Sequence, residues 1–182
     1  MKRIVYLWLV LAGFAFLYSC SNSAGKSEAL GNSGDNTIVQ QSDGTISLKL
    51  EKAECYHDLQ NPVNNTAEWN VVVSKSGRFN VWLSSATKDT TRLQYQNKVM
   101  LNILDKRLEV SPECDKIVLN SSDVSYPFYR ADSFVGSLYL QDTGTYNIQV
   151  ISEKILPKES GGGVTDTDNT RLISVFFTPA TR

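Results

Sequence analysis

The sequence predicts an all-β domain, an antiparallel β-sandwich or jelly roll, and three observations support this. Short segments in which apolar and polar residues alternate recur along the chain after residue 44, as in strands with one buried face. Turn residues such as Asn, Asp, Gly and Pro separate these segments at frequent intervals. The same part of the chain lacks a convincing helical stretch, which favours a sandwich over a mixed α/β fold.

The clearest strand signal lies in residues 68–85, where two runs rich in β-branched and aromatic residues flank a polar turn at residues 74–77. In the second run Phe79, Val81 and Leu83 form one face, and Trp82 falls on the other. We predict a β-hairpin here, at the centre of the domain.

Further strands are predicted at residues 45–51, 91–95, 99–104, 107–110, 117–119, 134–140, 145–151 and 171–178. The alternation in residues 134–140 places Phe134 on the same face as Leu138 and Leu140. Trp69 shares its face with two valines and is predicted to lie in the core. Three loops are predicted: a polar loop at residues 56–67, an aromatic-rich loop at residues 121–132 and a Gly-rich loop at residues 157–169.

The first 20 residues have the features of a secretory signal peptide. Lys2 and Arg3 precede an apolar run that is too short for a comfortable membrane span. The segment ends in Leu-Tyr-Ser-Cys, which resembles a bacterial lipobox and implies that Cys20 becomes a lipidated N-terminus. We therefore expect a cell-envelope protein held in a membrane, with the outer membrane as the expected location and the periplasmic or surface-facing orientation left open. The alternative is an uncleaved transmembrane helix or an incidental Cys at position 20.

Residues 21–43 are dominated by Ser, Asn, Gly and Asp and are predicted to form a flexible tether, because they offer little apolar surface to bury. The β-sandwich domain is predicted to span residues 44–182. The formal net charge of the chain is -1 and no Lys/Arg-rich run follows the signal. Nucleic acid is therefore excluded as an expected partner.

Three motifs along the domain resemble those of the galactose-binding-like jelly roll, the superfamily that includes carbohydrate-binding modules of families 6 and 35. They are Ser-Gly-Arg-Phe-Asn-Val-Trp-Leu-Ser-Ser-Ala at residues 76–86, Asp-Thr-Gly-Thr-Tyr-Asn-Ile-Gln-Val at residues 142–150, and Leu-Ile-Ser-Val-Phe-Phe-Thr-Pro at residues 172–179. The resemblance covers residues 45–179. It implies a binding or accessory domain whose ligand meets the loops at one end of the sandwich or a concave face.

Modules of this superfamily often hold a structural calcium ion through acids on the first strand and an Asp early in the last strand. The corresponding last-strand position here falls near Ile173. The acids that remain as oxygen ligands are Glu51, Glu54, Asp166 and Asp168. We expect no cofactor, with calcium at these four residues as the alternative.

Aromatic side chains are the first candidates for a glycan site, because a pyranose face stacks on a ring while nearby polar groups bind its hydroxyls. The loop residues with this composition are Tyr126, Phe128, Tyr129 and Arg130. The alternative is that Phe128 and Tyr129 cap the core and that Arg130 forms a surface ion pair. Trp82 is a second candidate, with coverage by a neighbouring loop as its alternative.

The polar loop contributes Tyr56, His57 and Asp58 as further ligand candidates. His57 and Asp58 also suggest an acid/base pair, but adjacent residues on an extended chain point in opposite directions, so a solvated loop is the simpler interpretation. Cys55 and Cys114 are the two thiols left once Cys20 is lipidated. They are candidates for a disulfide bond, and two separate thiols are the alternative.

No motif in the sequence positions a nucleophile, a general base or a catalytic metal, so we expect that this chain is not an enzyme. Two functions stay open. The first is a non-catalytic, lipid-anchored module that binds a glycan. The second is a structural or assembly lipoprotein that uses the same fold to bind an envelope protein.

Overall fold

The all-β prediction is confirmed by a computed structural model, which describes residues 36–156 and 170–180. The predicted signal peptide with Cys20, residues 21–35 of the tether, and Asp166 and Asp168 lie outside the described residues. Within the described ranges there is no helix of the length and apolar character needed to cross a bilayer.

Eleven strands and two short 3-10 helices make up the described chain. The strands are β1 (Ile38–Val39), β2 (Ile46–Lys49), β3 (Glu54–Tyr56), β4 (Thr66–Val73), β5 (Gly77–Thr87), β6 (Val99–Ile103), β7 (Lys106–Val110), β8 (Lys116–Val118), β9 (Tyr129–Leu140), β10 (Gly144–Ile151) and β11 (Thr170–Pro179). The 3-10 helices are Leu50–Lys52 and Pro62–Asn64.

The strands form two sheets. Sheet I has six strands in the order β1-β4-β10-β6-β7, with β3 also paired to β4. Sheet II has five strands in the order β2-β11-β5-β9-β8. Every pairing is antiparallel except that of β1 with β4, which is parallel.

The core lies between the inner faces of the two sheets, as the alternation in the sequence predicted. Val71 and Val73 of sheet I, and Val81 and Leu83 of sheet II, are fully buried. The predicted core position of Trp69 is confirmed, since it is only 2% exposed and its indole N–H donates to the Lys49 carbonyl oxygen at 2.9 Å. A buried Trp needs such a partner for its N–H group.

The predicted central hairpin is wrong, because β4 and β5 lie in opposite sheets. β4 pairs along its whole length with β10, and β5 pairs with β9 and β11. Residues 74–76 therefore carry the chain from one sheet to the other. Each strand buries one face in either arrangement, so the period-two pattern is the same for a hairpin and for a crossing between sheets.

The crossing turn is held by the buried side chain of Gln40. Its Oε1 accepts hydrogen bonds from the backbone N–H groups of Ser74 at 3.0 Å and Lys75 at 2.7 Å, and its Nε2 donates to the Gly44 carbonyl oxygen at 2.8 Å. Ile38 is also buried. The predicted limit of the tether at residue 43 is therefore wrong for its last residues, which belong to the folded domain.

Two strand boundaries also differ from the prediction. Residues 91–95 form no strand but part of an irregular connection from β5 in sheet II to β6 in sheet I. Tyr129–Asp132, predicted as loop, form the first part of β9. A bulge in β9 explains why this strand is longer than its alternation suggested, since Val81 pairs with Gly136 and Trp82 with Phe134.

The bulge also reverses the predicted direction of Phe134. Val135 is the extra residue between the two pairs, so the inside-outside alternation of β9 shifts by one position there. Leu138 and Leu140 are buried as predicted, but Phe134 is 42% exposed on the outer face of sheet II.

Candidate functional site

A row of three aromatic side chains crosses the outer face of sheet II. The register aligns Phe176 of β11, Trp82 of β5 and Phe134 of β9 across three neighbouring strands. The Trp82 and Phe176 rings are stacked, with centroids 6.3 Å apart and an interplanar angle of 8°. The Trp82 and Phe134 rings meet edge to face, with centroids 5.2 Å apart and an interplanar angle of 60°. We call these three residues the aromatic row.

An open groove of about 600 Å³ lies at the Phe134 end of the aromatic row. Trp82 and Phe134 both line it. The other residues that line it belong to the connection from β7 to β8 or to the end of β7, namely Val110, Ser111, Glu113 and Asp115. Glu113 and Asp115 are exposed. The groove, which we call the aromatic groove, therefore combines accessible ring surface with two carboxyl groups.

Hydrogen bonds join β9 to the connection that carries Glu113 and Asp115. The Phe134 backbone N–H donates to Asp115 Oδ2 at 2.7 Å. The Ser133 hydroxyl donates to the Glu113 carbonyl oxygen. These contacts fix the position of this connection relative to the rings. A site that is ordered before binding loses less conformational entropy when a ligand binds.

A network of charged side chains lies at the Phe176 end of the aromatic row. The Arg130 guanidinium lies over the Phe176 ring, 5.3 Å from its centroid. It also pairs with Asp123 and Asp132, each at 2.8 Å. Lys49 Nζ lies 3.1 Å from the other oxygen of Asp123. We call Lys49, Asp123, Arg130 and Asp132 the ionic network.

The most buried member of the ionic network is Asp132, which is 2% exposed. Besides Arg130 it accepts a hydrogen bond from the Ser84 hydroxyl at 2.8 Å. The hydrogen bond from Lys49, together with the charges of Lys49 and Arg130, lowers the pKa of the Asp123 carboxyl. Arg130 is thus engaged in ion pairs, which is the alternative considered for it from the sequence.

The other loop candidates have different surroundings. Tyr126 is 90% exposed and Tyr129 lies at the start of β9 opposite Thr87. Phe128 is half-buried, with Lys88 Nζ and the Arg171 guanidinium carbon each 5.1 Å from its ring centroid. Of the four loop candidates, Arg130 is the one with a described contact to the aromatic row, through Phe176.

The polar-loop candidates lie at the end of β3 and in the loop after it, and they are Tyr56, His57 and Asp58. Because β3 belongs to sheet I, the structure does not bring them to the aromatic groove. The Asp58 carboxylate accepts hydrogen bonds from the backbone N–H groups of Asn61 and Gln60 at 2.9 and 3.0 Å, which with the side-chain amide of Asn64 lower its pKa. The pKa of His57 is lowered by burial. Asp58 therefore organises its own loop.

The calcium candidates that can be located are Glu51 and Glu54. Glu51 lies in the 3-10 helix after β2, and Glu54 lies on β3, where it accepts a hydrogen bond from the Tyr56 hydroxyl at 3.1 Å. Among residues 36–156 and 170–180, no group of three or more His, Cys, Asp or Glu side chains is arranged to hold a metal ion. Asp166 and Asp168 fall outside these ranges.

The candidate disulfide bond between Cys55 and Cys114 is not formed. Cys55 lies on β3 at the edge of sheet I, and Cys114 lies in the connection that leads into β8 of sheet II. Both are half-buried, and burial together with Asp89 and Asp115 raises the pKa of the Cys114 thiol. The structure has the alternative of two separate thiols.

Four residues at this site were not predicted from the sequence, namely Phe134, Phe176, Glu113 and Asp115. One signal for Phe176 was present, because Phe176 and Phe177 are adjacent on a strand and must point to opposite faces. One of the two rings is therefore directed outward. No local signal marks the bulge that exposes Phe134.

No protein-family model matches this chain, and no curated protein matches it either. Among solved structures it is similar to an α-L-fucosidase from Vibrio sp. strain EJY3, with a TM-score of 0.62 and 19% identity over 80% of this chain and 24% of the fucosidase. It also matches the GH26-CBM35 β-(1,4)-mannanase of Podospora anserina, with a TM-score of 0.46 and 10% identity over 77% of this chain and 28% of the mannanase.

This chain thus spans about a quarter of the length of the fucosidase. At such low identity the likeness establishes the β-sandwich fold and says nothing of activity.

Proposed function

We propose that this chain is a non-catalytic glycan-binding module, held at the bacterial cell envelope by a lipid on Cys20. The observation that supports it most is the aromatic groove, where Trp82 and Phe134 offer ring surface beside Glu113 and Asp115. A pyranose stacks its apolar face on such rings, and carboxylate oxygens accept hydrogen bonds from its hydroxyl groups.

The surroundings of the two carboxyl groups support binding rather than catalysis. Glycoside hydrolysis generally uses a carboxylic acid whose pKa is raised by burial beside a second carboxylate. Glu113 and Asp115 are both exposed, and Asp115 accepts the Phe134 N–H. Neither carboxyl group is enclosed in apolar surroundings.

The lipobox-like residues before Cys20 support the anchor and an outer-membrane location. The fold shared with part of a fucosidase is consistent with a role in glycan recognition. In this proposal the membrane is reached through the lipid, the glycan is held in the aromatic groove, and neither a cofactor nor nucleic acid takes part.

A glycan array tests this proposal. The core runs from Ile38 to Phe177, so the chain from Ser21 to Arg182 retains all of it without the lipid anchor. We expect a specific hit whose affinity falls about tenfold or more in Trp82→Ala and in Phe134→Ala, because central aromatic contacts dominate binding energies.

Tyr139→Ala is the matched control. Tyr139 is 52% exposed on the same strand as Phe134, and five residues of strand place it roughly 16 Å away. It should bind like the unmodified chain. A blank array from a folded sample, run with calcium and with a chelator, would reject the glycan proposal. That result would favour an assembly lipoprotein that binds an envelope protein, which a pull-down would test.

A further inference from the structure

The rings of the aromatic groove form a corner and not a flat platform. Trp82 and Phe134 meet at an interplanar angle of 60°, so a group in the groove can contact both rings at once. Glu113 and Asp115 line the same groove. Two angled rings with carboxylates nearby are a combination that suits an ammonium group, because ring faces and carboxylates both attract positive charge.

The residues that line the aromatic groove carry negative charge. The described residues that line it carry two negative side chains and no Lys or Arg. Arg130, at the other end of the aromatic row, is balanced by Asp123 and Asp132. Lys116, which follows Asp115 in the chain, is exposed and does not line the groove. The groove therefore presents net negative charge beside its apolar surface.

We propose that the aromatic groove selects amino sugars, that is, hexosamines whose amino group is unsubstituted and protonated. This inference rests on the proposed glycan function and adds its chemical class. The ammonium group lies between the rings and the two carboxylates, while the remaining ring hydroxyls face solvent or the Ser111 hydroxyl.

The same charges set an order among sugars. A neutral hexose keeps the stacking but lacks the ionic attraction. N-acetylation converts the ammonium group into a neutral amide and removes that attraction as well. A uronic acid places a carboxylate opposite Glu113 and Asp115, and like charges facing each other oppose binding. The expected order of affinity is amino sugar, then neutral or N-acetylated sugar, then uronic acid.

The test uses NMR titration of the chain from Ser21 to Arg182, followed at the tryptophan indole N–H signals. Only Trp69 and Trp82 are present in this part of the sequence, and buried Trp69 serves as the internal reference. The probes are the methyl glycosides of glucosamine, glucose, N-acetylglucosamine and glucuronic acid, and the corresponding galacto series, at neutral pH and low salt.

We expect the amino sugar of either the gluco or the galacto series to bind roughly three- to tenfold more tightly than the neutral hexose of that series. The preference is of this size because the two carboxylates that attract the ammonium group are at exposed positions. Glu113→Gln should reduce that preference roughly two- to fivefold, and Glu113→Gln combined with Asp115→Asn should abolish it. Glu109→Gln is the matched control, since Glu109 is exposed on β7, pairs with Arg107 at 3.0 Å and does not line the groove.

Two negative results separate the two proposals. If neutral sugars shift the Trp82 signal with equal or higher affinity than amino sugars, the charge preference is refuted and the glycan function stands. If none of the sugars shifts the Trp82 signal and the array is blank, both are refuted. Equal loss of preference in the Glu109 control would also refute the assignment to Glu113.

Discussion

Replacing Arg130 with methionine should destabilise the domain by leaving Asp132 without its counter-charge. Asp132 is 2% exposed, and after the change only the Ser84 hydroxyl contacts it among the partners described above. Removing one partner of a buried ion pair costs about 3–5 kcal/mol, because the remaining charge stays desolvated. The Arg130 side chain is 20% exposed, so water can partly replace it and we expect the lower end, about 3 kcal/mol.

The assay is urea unfolding of the chain from Ser21 to Arg182 at neutral pH, supported by thermal unfolding. A loss of about 3 kcal/mol corresponds to a fall in Tm of roughly 6–12 °C for a domain of this size. Combining Arg130→Met with Asp132→Asn removes both charges and should recover at least half of the lost stability, since an amide can still accept from the Ser84 hydroxyl.

Lys49→Met is the control for this prediction. Lys49 pairs with Asp123 at 3.1 Å, but its side chain is 49% exposed, so we expect less than about 1 kcal/mol. The reasoning is refuted if Arg130→Met costs less than about 1 kcal/mol, or if the double variant is no more stable than the single one. The result also bears on binding, because a loss of affinity in Arg130 variants must first be separated from unfolding.

Two further predictions concern stability. Gln40→Ala removes the side-chain hydrogen bonds to the Ser74 and Lys75 N–H groups and to the Gly44 carbonyl oxygen, and at about 1 kcal/mol each this should cost about 3 kcal/mol. Gln41→Ala, at the exposed neighbouring position, should be nearly neutral in urea unfolding. Equal effects would contradict the role given to Gln40. The Asp123 carboxyl has a lowered pKa, so its stabilising effect is present above its ordinary value of 3.8 and is lost as pH falls through the lower folded value. Asp123→Asn should therefore flatten the loss of stability in acid, and parallel curves for the two proteins would contradict this.

The elements that the sequence predicted well depend on local alternation. Trp69, Val81 and Leu83 are buried because each lies on the apolar face of its own strand, and that face is visible over a few residues. Strand pairing is not local. Trp69 is paired with Ile148 and Val81 with Gly136, and no pattern within residues 68–85 specifies those partners.

The candidate site likewise contains residues that local alternation identifies and residues that it does not. Trp82 was identified because its outward direction follows from local parity, and it lines the aromatic groove. Phe134 was missed because one extra residue, Val135, reverses the parity of β9. Glu113 and Asp115 lie in an irregular connection, where no periodicity relates a residue to a face of the sheet.

The strand order has a consequence for the time course of folding. β10 lies between β4 and β6 in sheet I, and β11 lies between β2 and β5 in sheet II. The last two described strands are thus interior members of the two sheets, so neither sheet is complete until β10 and β11 have been made. Non-local pairing of this kind is associated with folding in milliseconds to seconds. In the newly made chain β4 and β6, and likewise β2 and β5, therefore keep unpaired edges until β10 and β11 are available.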